Sequence, residues 1–294
     1  MPSTTATEFE TERPHLLAVA YRMLGSRAEA EDAVQEAWLR YDRARGGGEI
    51  RDLRGWLTTV TGRICLDVLK SARVSREAYP GQWLPSYFVA PDGDPAGRVE
   101  LDDQVGLALL VVLERLTPEQ RVAVVLHDAF GVPFEDVADV LGTTVSTARQ
   151  HASRGRRAIA EGEVRHTADL AEQRRVLGAF LAAAGSGDVR ALAAVLAPDV
   201  VAIGDGGGLP GVGTRPVLGA DRVSRFYLGI LNGRLGAVAV EPVLVNGSAG
   251  LLVRGTYANG RPLLSVMGFT VDDGRITGIF NQLNPDKLLL SDLL

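Results

Sequence analysis

The clearest structural signal in this chain lies in residues 116–159, LTPEQRVAVVLHDAFGVPFEDVADVLGTTVSTARQHASRGRRAI. Thr117 is a typical helix N-cap residue, Pro118 fits the first helical turn, and Gln120 can complete a capping box. The helix that these residues begin is expected to run until Gly131, because glycine commonly ends helices.

Two further helices are predicted immediately downstream. A short helix covers residues 134–141 and ends at Gly142, which permits the left-handed conformation of a tight turn. The next helix begins near Val145 and is basic, since residues 143–160 contain four arginines and no acid. Two short helices joined by a glycine turn, the second one basic, are typical of a helix-turn-helix module that binds DNA. A helical hairpin without affinity for DNA is the alternative.

The predicted helix-turn-helix module divides into a small core and an exposed polar row. The residues expected in the core are Val137, Val140, Leu141, Val145 and Ala148. The residues expected to face the major groove of DNA are Ser146, Thr147, Arg149, Gln150 and Arg154. In that groove arginine reads guanine and glutamine reads adenine, so the row predicts recognition of a DNA sequence.

The composition of the whole chain bounds what it can be. With 294 residues there is room for two average domains, and 46% hydrophobic with 23% charged residues is typical of a globular protein. The single cysteine, Cys65, excludes an internal disulfide framework and a cysteine-based zinc cluster. No apolar run approaches the ~18 residues of a membrane span, and the acidic start lacks the pattern of a secretory signal. We therefore expect a cytoplasmic protein without a membrane contact.

The chain divides into segments of different character. Residues 10–72 and 99–165 show helical periodicity, whereas residues 73–98 carry four prolines and three glycines without a helical period. After about residue 168 a single helix is followed by short β-rich runs that end in Gly, Asn or Asp turns. We therefore expect two all-α modules and a smaller α+β domain, with the boundaries 8–72, 73–98 for a linker, 99–166 and 167–294.

One helix of the first module carries an acidic row opposite its apolar face. The predicted buried face consists of Ala30, Ala33, Val34, Ala37, Trp38 and Tyr41. The opposite row contains Asp32, Gln35 and Glu36 beside the apolar Leu39. One interpretation of these charges is a solvated acidic face of the helix. The apolar leucine beside them favours the alternative, a surface that binds a partner.

The following helix brings an aromatic, a hydroxyl and a cationic side chain onto one stripe. Trp56, Thr59 and Arg63 are three or four residues apart, which suits nucleic acid because rings stack on unpaired bases and arginines hold phosphates. Packing of Trp56 in the core is the alternative. Cys65 lies beside the core stripe and is expected to be a small buried residue rather than a reactive thiol.

These helical segments resemble bacterial RNA polymerase sigma factors. Residues 15–41, HLLAVAYRMLGSRAEAEDAVQEAWLRY, are similar to the helices that bind the core polymerase, and residues 54–72, RGWLTTVTGRICLDVLKSA, to the helix that reads the downstream promoter element. Residues 116–159 resemble the module that reads the upstream element. With only these two modules on either side of a linker, the chain is identified as a member of the extracytoplasmic-function (ECF) type.

The resemblance assigns roles to the rows described above. It implies that the core RNA polymerase is bound, through its largest and second-largest subunits, by Asp32, Gln35, Glu36 and Leu39. It implies that the downstream promoter element is read by Trp56, Thr59 and Arg63. It implies that the upstream element is read by Ser146, Thr147, Arg149, Gln150 and Arg154. The acidic net charge of −5 fits this role, because a sigma factor can leave much of the phosphate affinity to its polymerase.

The remaining motifs resemble the SigJ-like group of ECF factors, whose members carry a fused C-terminal domain similar to SnoaL polyketide cyclases. The motifs are YPGQWLP at 79–85, DGGG at 205–208 and NPDKL at 284–288. The resemblance implies a cone-shaped SnoaL/ketosteroid-isomerase-like α+β fold. We expect the linker motif to contact the other two in a regulatory interface formed by Tyr79, Trp83, Pro85, Asp205, Gly206, Gly207, Asn284, Pro285, Asp286, Lys287 and Leu288.

The C-terminal domain is a candidate enzyme or a candidate regulator. That fold encloses a pocket, and the candidate acid/base residues in this domain are Asp199, Asp205, Asp221, Tyr227 and Tyr257. None of them has the spacing of an acid/base pair, and no histidine follows His166, so we expect a regulator without catalytic residues, metal or cofactor.

Two expectations remain open for this domain. The leucines near the end of the chain, Leu283, Leu288, Leu289, Leu290, Leu293 and Leu294, indicate a tail that packs on a partner surface or on its own sheet. The other reading of the whole chain is a DNA-binding transcription regulator that never joins the polymerase and whose SnoaL-like domain senses a small molecule.

Overall fold

The structure is a computed structural model that describes residues 4–44, 50–77, 79, 81–92, 106–161, 168–209 and 215–288. The chain divides into two compact units. One contains Met1–Ala78 and Leu109–Val164, and the other contains Tyr79–Ala108 and Arg165–Leu294. Across the described parts of the chain, no helix is both long and apolar enough to cross a membrane.

The first unit begins with three long helices. They are α1 (Thr4–Leu24), α2 (Arg27–Ala44) and α3 (Leu53–Glu77). Gly25 adopts a left-handed φ of 66°, which allows the tight turn from α1 to α2. The predicted apolar face of α2 is buried except at Trp38, which is half-buried, and Trp38 and Tyr41 join Phe9 in an aromatic cluster. Cys65 is fully buried, as predicted, and burial raises the pKa of its thiol.

The second helical part of this unit follows the predicted pattern closely. Its helices are α4 (Leu107–Leu113), which belongs to this unit from Leu109 onwards, α5 (Pro118–Val124), α6 (Phe134–Leu141) and α7 (Val145–Glu161). The capping box at Thr117 and Gln120 is present, with hydrogen bonds of 3.3 and 3.2 Å. Gly142 ends α6 at a left-handed φ of 63°. The sequence did not indicate that α5 continues as a π-helical turn over Val125–Ala129.

The segment predicted as a linker is more ordered than expected. Helix α3 extends to Glu77, and Val89–Pro91 forms strand β1, which pairs antiparallel with a strand of the C-terminal sheet. The sequence pattern missed β1 because its hydrogen bonds are made with residues more than 150 positions away. In the structure, Tyr79–Ala108 belongs to the same compact unit as the C-terminal domain.

The second unit is built on a single curved, mostly antiparallel sheet. Its strands are β2 (Leu196–Asp205), β3 (Val217–Leu218), β4 (Leu235–Val245), β5 (Ser248–Tyr257), β6 (Pro262–Asp272) and β7 (Arg275–Gln282). The order across the sheet is β1-β4-β5-β6-β7-β2-β3, and only the β2–β7 pair within it is parallel. The turns at Asn246-Gly247 and Asp273-Gly274 have positive φ at both residues, which suits tight hairpins.

Three helices accompany this sheet where the sequence predicted one. They are α8 (Leu170–Ser186), α9 (Val189–Ala194) and α10 (Ala220–Gly233). Asp169 caps α8 by accepting a 2.8 Å hydrogen bond from the Glu172 amide. Phe180 of α8 and Tyr227 of α10 pack with Phe269 of β6 in the main core of the unit. The sheet therefore closes over an interior that its helices line.

Candidate functional site

The acidic row on α2 is displayed at the surface. Asp32, Gln35 and Leu39 are exposed, and Leu39, at 40%, is among the few large apolar side chains with such exposure in the described residues. Glu36 is half-exposed and accepts a 2.9 Å hydrogen bond from Arg40, one turn further on. The opposite face of α2 is packed in the core, so α2 holds the row rigidly and leaves it open to a partner.

The predicted nucleic-acid stripe on α3 is only partly open. Trp56 is half-buried, with its ring centre 6.0 Å from that of Tyr41, so it belongs to the aromatic cluster at the edge of the core. Thr59 is also half-buried. Arg63 is exposed, and its guanidinium donates a 3.3 Å hydrogen bond to the backbone carbonyl of Asp139 in α6. Trp56 therefore packs at the edge of the core, as the alternative interpretation expected.

The two helical modules pack against each other within the first unit. A Cβ on Gly62 of α3 would lie 3.1 Å from Leu126 and 3.4 Å from Val140, so the glycine allows the helices to approach closely and a side chain there would require Leu126 to shift. The buried Arg121 donates a 2.9 Å hydrogen bond to the carbonyl of Met23 at the end of α1. The free chain thus holds its two modules together at the face where Arg63 lies.

Helix α7 displays the predicted recognition row. Ser146, Arg149, Gln150 and Arg154 are exposed, while Ala148 and Ala152 on the opposite face are fully buried. Thr147 is half-buried, and its amide donates a 3.2 Å hydrogen bond to the Thr144 hydroxyl, which caps the helix.

The arginines of α7 divide into two groups. Arg149 lies 3.9 Å from Glu135 and 5.4 Å from the Phe134 ring, contacts that are loose and open to solvent. Arg156 points elsewhere and makes a two-pronged contact with Asp128 at 2.8 and 3.1 Å. Arg149, unlike Arg156, is therefore available to a ligand along the recognition row.

In the second unit the linker is fastened to the C-terminal domain by a buried polar cluster. We call this cluster the linker clasp and define it as Tyr79, Trp83 and Leu84 of the linker with Asp205, Asn284 and Lys287 of the domain. Asp205 is 0% exposed at the end of β2. Its carboxylate accepts hydrogen bonds from the Tyr79 hydroxyl at 2.6 Å, the Leu84 amide at 2.9 Å and the Lys287 ammonium at 2.7 Å.

Lys287 completes the clasp from the other side. Its ammonium donates to the Leu84 carbonyl at 2.6 Å and lies 4.0 Å from the centre of the Trp83 ring, in cation–π geometry. The Asn284 amide donates a 2.9 Å hydrogen bond to the Tyr79 hydroxyl. Burial, reinforced by the hydrogen bond to Asp205, raises the pKa of Tyr79 well above its ordinary value. The Tyr79 hydroxyl, the Asp205 carboxylate and the Lys287 ammonium thus each have a hydrogen-bond partner from the other segment.

The rest of the predicted interface lies around the clasp. Gly206 is buried, and Gly207 turns at a φ of 58° beside Asn284, with its amide donating to Asp205. Pro85 is buried, and its carbonyl accepts a hydrogen bond from Gln282 at 3.2 Å. The other predicted members are placed as follows: Leu288 is buried, and Pro285 and Asp286 are exposed. Of the predicted leucine tail, residues 289–294 lie outside the described part of the chain.

Several contacts of the linker were not predicted from the sequence. The Tyr87 hydroxyl donates to the Phe280 carbonyl at 3.3 Å, and Phe88 exchanges hydrogen bonds with Asn246 in the β4–β5 turn. Arg174 of α8 holds Asp92 in a two-pronged ion pair. The linker thus contacts the domain from Tyr79 to Asp92.

The acid/base candidates of the domain are not brought together. Tyr227 and Tyr257 line a cavity of about 850 Å³, whereas Asp205 is used in the clasp. Asp199 and Asp221 are exposed, and Asp221 pairs with Arg225, which lowers the pKa of that carboxyl. Burial raises the pKa of Tyr227. Among the described residues, no group of three His, Cys, Asp or Glu side chains is placed to hold a metal ion.

Each of the two helical modules matches a known protein family. Residues 9–74 match the family model of sigma-70 region 2, and residues 106–159 match that of sigma-70 region 4. The two matches, in this order and on either side of the linker, define the class of the protein as a sigma factor.

Whole-chain relatives define the family more closely. The ECF RNA polymerase sigma factor SigJ of Mycobacterium tuberculosis is 42% identical over 299 residues, covering 98% of this chain and 94% of the relative. The probable ECF RNA polymerase sigma factor SigI of the same species is 39% identical over 282 residues, covering 95% of this chain and 93% of that protein. The chain belongs to the ECF RNA polymerase sigma factors.

A solved structure supports the same assignment across both units. The crystal structure of the M. tuberculosis sigma factor SigJ aligns with a TM-score of 0.76 at 40% identity, covering 96% of this chain and 97% of that one. The predicted architecture, two all-α sigma modules followed by an α+β domain, is confirmed. We refer below to residues 9–74 as region 2 and to residues 106–159 as region 4.

Proposed function

We propose that this ECF sigma factor docks on the core RNA polymerase through α2, reads promoter DNA through α3 and α7, and is restrained by its C-terminal domain through the linker clasp. The observation that carries this proposal is that one unit displays two rigid rows, on α2 and α7, each on a helix whose opposite face is buried. A transcription regulator that acts without polymerase would have no use for the row on α2.

The α2 row suits a polymerase surface by its chemistry. Asp32 and Glu36 provide charge and Gln35 provides hydrogen bonds, while the exposed Leu39 adds an apolar centre. Protein interfaces commonly combine such a centre with a polar rim. We assign this row to the clamp helices of the largest polymerase subunit. The second-largest subunit is the other expected contact.

The α3 and α7 surfaces suit two different forms of DNA. On α7, Arg149, Gln150 and Arg154 can reach base edges in a major groove. On α3, Trp56 and Arg63 lie together beside the position proposed for melted DNA, where a ring can stack on an unpaired base and a guanidinium can hold a phosphate. Arg63 must first be released from the Asp139 carbonyl, so region 2 and region 4 have to separate before α3 can act.

The clasp gives the C-terminal domain a means to oppose that separation. Region 2 ends with α3 at Glu77, and the linker from Tyr79 to Asp92 is bound to the domain. Residues 79–92 of the segment that joins the two regions are therefore held by the domain when the clasp is closed. The domain thus restrains the modules through the linker.

The experiment that tests the polymerase assignment is co-purification with core RNA polymerase, followed by run-off transcription from the gene's own upstream region. We expect transcripts to depend on the added protein and L39E to lose polymerase binding. Leu218 is exposed in the second unit, so L218E is the matched control and should bind as the wild type does. Equal binding by both variants would contradict the docking surface on α2. A wild-type protein that binds DNA and not polymerase would support the regulator reading instead.

A further inference from the structure

The second unit contains a large apolar cavity that the clasp does not fill. Its volume is about 850 Å³, within the range of cavities that hold small molecules. The walls come from α8, α10 and the concave face of the sheet, with side chains such as Phe180, Leu251, Val253 and Met267. An apolar cavity of this size favours an apolar occupant, because water inside it would find few hydrogen-bond partners.

The entrance of the cavity is also apolar. Leu181, Leu231 and Val240 line it, and all three are among the large apolar side chains that are exposed in the described residues. Such side chains are usually scattered singly over a protein surface, whereas here they gather around one opening. The gathering points to a ligand whose apolar body passes this opening.

The charged residues that line the cavity are all positively charged among those that the structure describes. Arg215, Arg234 and Arg261 line the cavity and are exposed, and no carboxylate is among the described lining residues. The β5–β6 turn brings two of these arginines together: the Ala258 amide donates to the Arg234 carbonyl, and the Tyr257 amide donates to the Arg261 carbonyl. The apolar interior thus ends at a positively charged rim.

We propose that the cavity binds an amphipathic carboxylate, an apolar chain or ring system with one anionic head, whose body fills the interior and whose head lies at the arginine rim. Guanidinium groups bind carboxylates in a fork geometry that fits this end of the ligand. A neutral apolar molecule would leave the rim unused, and a cation would be repelled by it.

The cavity shares a wall with the clasp, and this part of the inference rests on the proposed function. Gly204, Leu283 and Leu288 line the cavity, and the clasp residues Asp205, Asn284 and Lys287 lie next to them in the chain. A ligand that displaces the wall would therefore displace the clasp. The carboxylate would then act as the signal that changes how tightly the linker is held.

The test is a fluorescence titration of the full-length protein with cis-parinaric acid, with its methyl ester as the uncharged control. We expect saturable binding of the acid and at least about fivefold weaker binding of the ester, because the ester lacks the charge that the rim attracts. R261Q should weaken binding of the acid about two- to fivefold, as expected for a partly solvated charge contact. R222Q changes an exposed arginine outside the cavity and should leave binding unchanged.

A cavity-filling variant tests the location of the site. Ala184 is a half-buried lining residue of α8, so A184W should abolish binding while the circular dichroism spectrum stays that of the folded protein. If A184W does not fold, A202F offers the same test from the sheet side. Absence of saturable binding to the wild type, equal binding of acid and ester, or unchanged binding by the folded filling variant would each overturn the proposal. Binding is measured without polymerase, so its failure is distinguishable from a failure of the regulatory role.

Discussion

The recognition row on α7 and the linker clasp are both polar, yet they are built in opposite ways. On α7 the polar side chains are exposed, and their few contacts are loose, such as the 3.9 Å approach of Arg149 to Glu135. In the clasp the carboxylate of Asp205 is completely buried and accepts hydrogen bonds from four donors, two in the linker and two in the domain. The first surface is incomplete without an external partner, whereas the second has its partner within the chain.

This difference predicts where a substitution will act. Exposed charges contribute little to stability, because water already solvates them. A buried ion pair that loses one member leaves an uncompensated charge, which is strongly destabilising. Substitutions on α7 should therefore change binding without changing folding, and substitutions in the clasp should change folding and the position of the linker.

The largest expected effect comes from breaking the buried pair. D205N keeps the size of the side chain but removes its charge, so Lys287 remains buried beside a neutral group. We expect the free energy of unfolding of the second unit to fall by about 3–5 kcal/mol, measured by urea denaturation. The exposed pair of Asp221 with Arg225 is the control, and D221N should leave the free energy of unfolding nearly unchanged. Equal losses in the two variants would mean that the clasp is not a buried network.

The next effect concerns DNA. R149A combined with R154A should lower use of a promoter by at least about 30-fold, since two base contacts of about 1–3 kcal/mol each are lost. Run-off transcription measures this loss, and polymerase co-purification and the melting temperature should stay unchanged. The control is S153A, which changes an exposed side chain of α7 that lies outside the predicted row. It should leave promoter use unchanged. Loss of polymerase binding by the double variant would mean that α7 does not act as a separate DNA surface.

A smaller effect tests how closely the glycine motif approaches the clasp. At Gly207 the φ is 58°, and an added Cβ would lie 2.5 Å from the Asn284 side chain. At Gly187 the φ is a similar 72°, but nothing lies within 4 Å of that position. Both alanine variants carry backbone strain of about 1 kcal/mol. G207A should lose a further ~1–2 kcal/mol in urea denaturation because Asn284 must move. If G207A and G187A lose the same free energy of unfolding, the contact of the added Cβ with Asn284 does not affect stability.

The smallest effects are those of pH, and they run in opposite directions in the two units. Burial, and then the nearby guanidinium of Arg54, lower the pKa of His15, which is hydrogen-bonded to Thr58. The unfolded chain therefore binds the proton more readily, and stability that is complete above pH 6.5 is lost as the pH falls below it. Urea midpoints of the first unit should decline below that pH, and H15Q should remove the decline.

Tyr79 gives the opposite sign. Its pKa is raised above the ordinary value of 10.0, so the closed clasp retains the proton that the open linker loses. The contribution of the clasp is therefore complete below about pH 10 and is lost as the pH rises further. Y79F should be less sensitive than the wild type over this range. If the stability of the second unit responds to pH in the same way in the wild type and in Y79F, the role of the Tyr79 hydroxyl is contradicted.

The sequence predicted most where local signals decide the structure. The helices of region 4 begin and end where Thr117, Pro118 and Gly142 indicate, because capping and glycine turns depend on near neighbours. The clasp residues on both segments were found through motifs of a known family, since no local pattern would pair Tyr79 with Asp205. The individual hydrogen bonds between these residues could not be predicted from the sequence and are seen only in the structure.

What the sequence could not predict depends on distant parts of the chain. Strand β1 forms because β4 offers it an edge, and Asn246 meets Phe88 only once that sheet is built. Trp56 was a candidate for DNA or for the core, and its half-buried position beside Tyr41 allows both, because a ring at the edge of a core keeps one face open. Helix α9 is only six residues long and directly follows α8, and α10 lies between two strands, so neither was separated from its neighbours in the sequence pattern.

The central claim is that the C-terminal domain restrains the sigma modules through the linker clasp. The most direct measurement is the yield of run-off transcript with core polymerase from the wild type and from a variant with Y79F and W83A. These changes release the linker and leave the pair of Asp205 with Lys287 intact. We predict at least about threefold more transcript from the variant at equal amounts of folded protein, and an unchanged yield from R222Q. A folded variant whose yield equals or falls below that of the wild type would contradict the restraint.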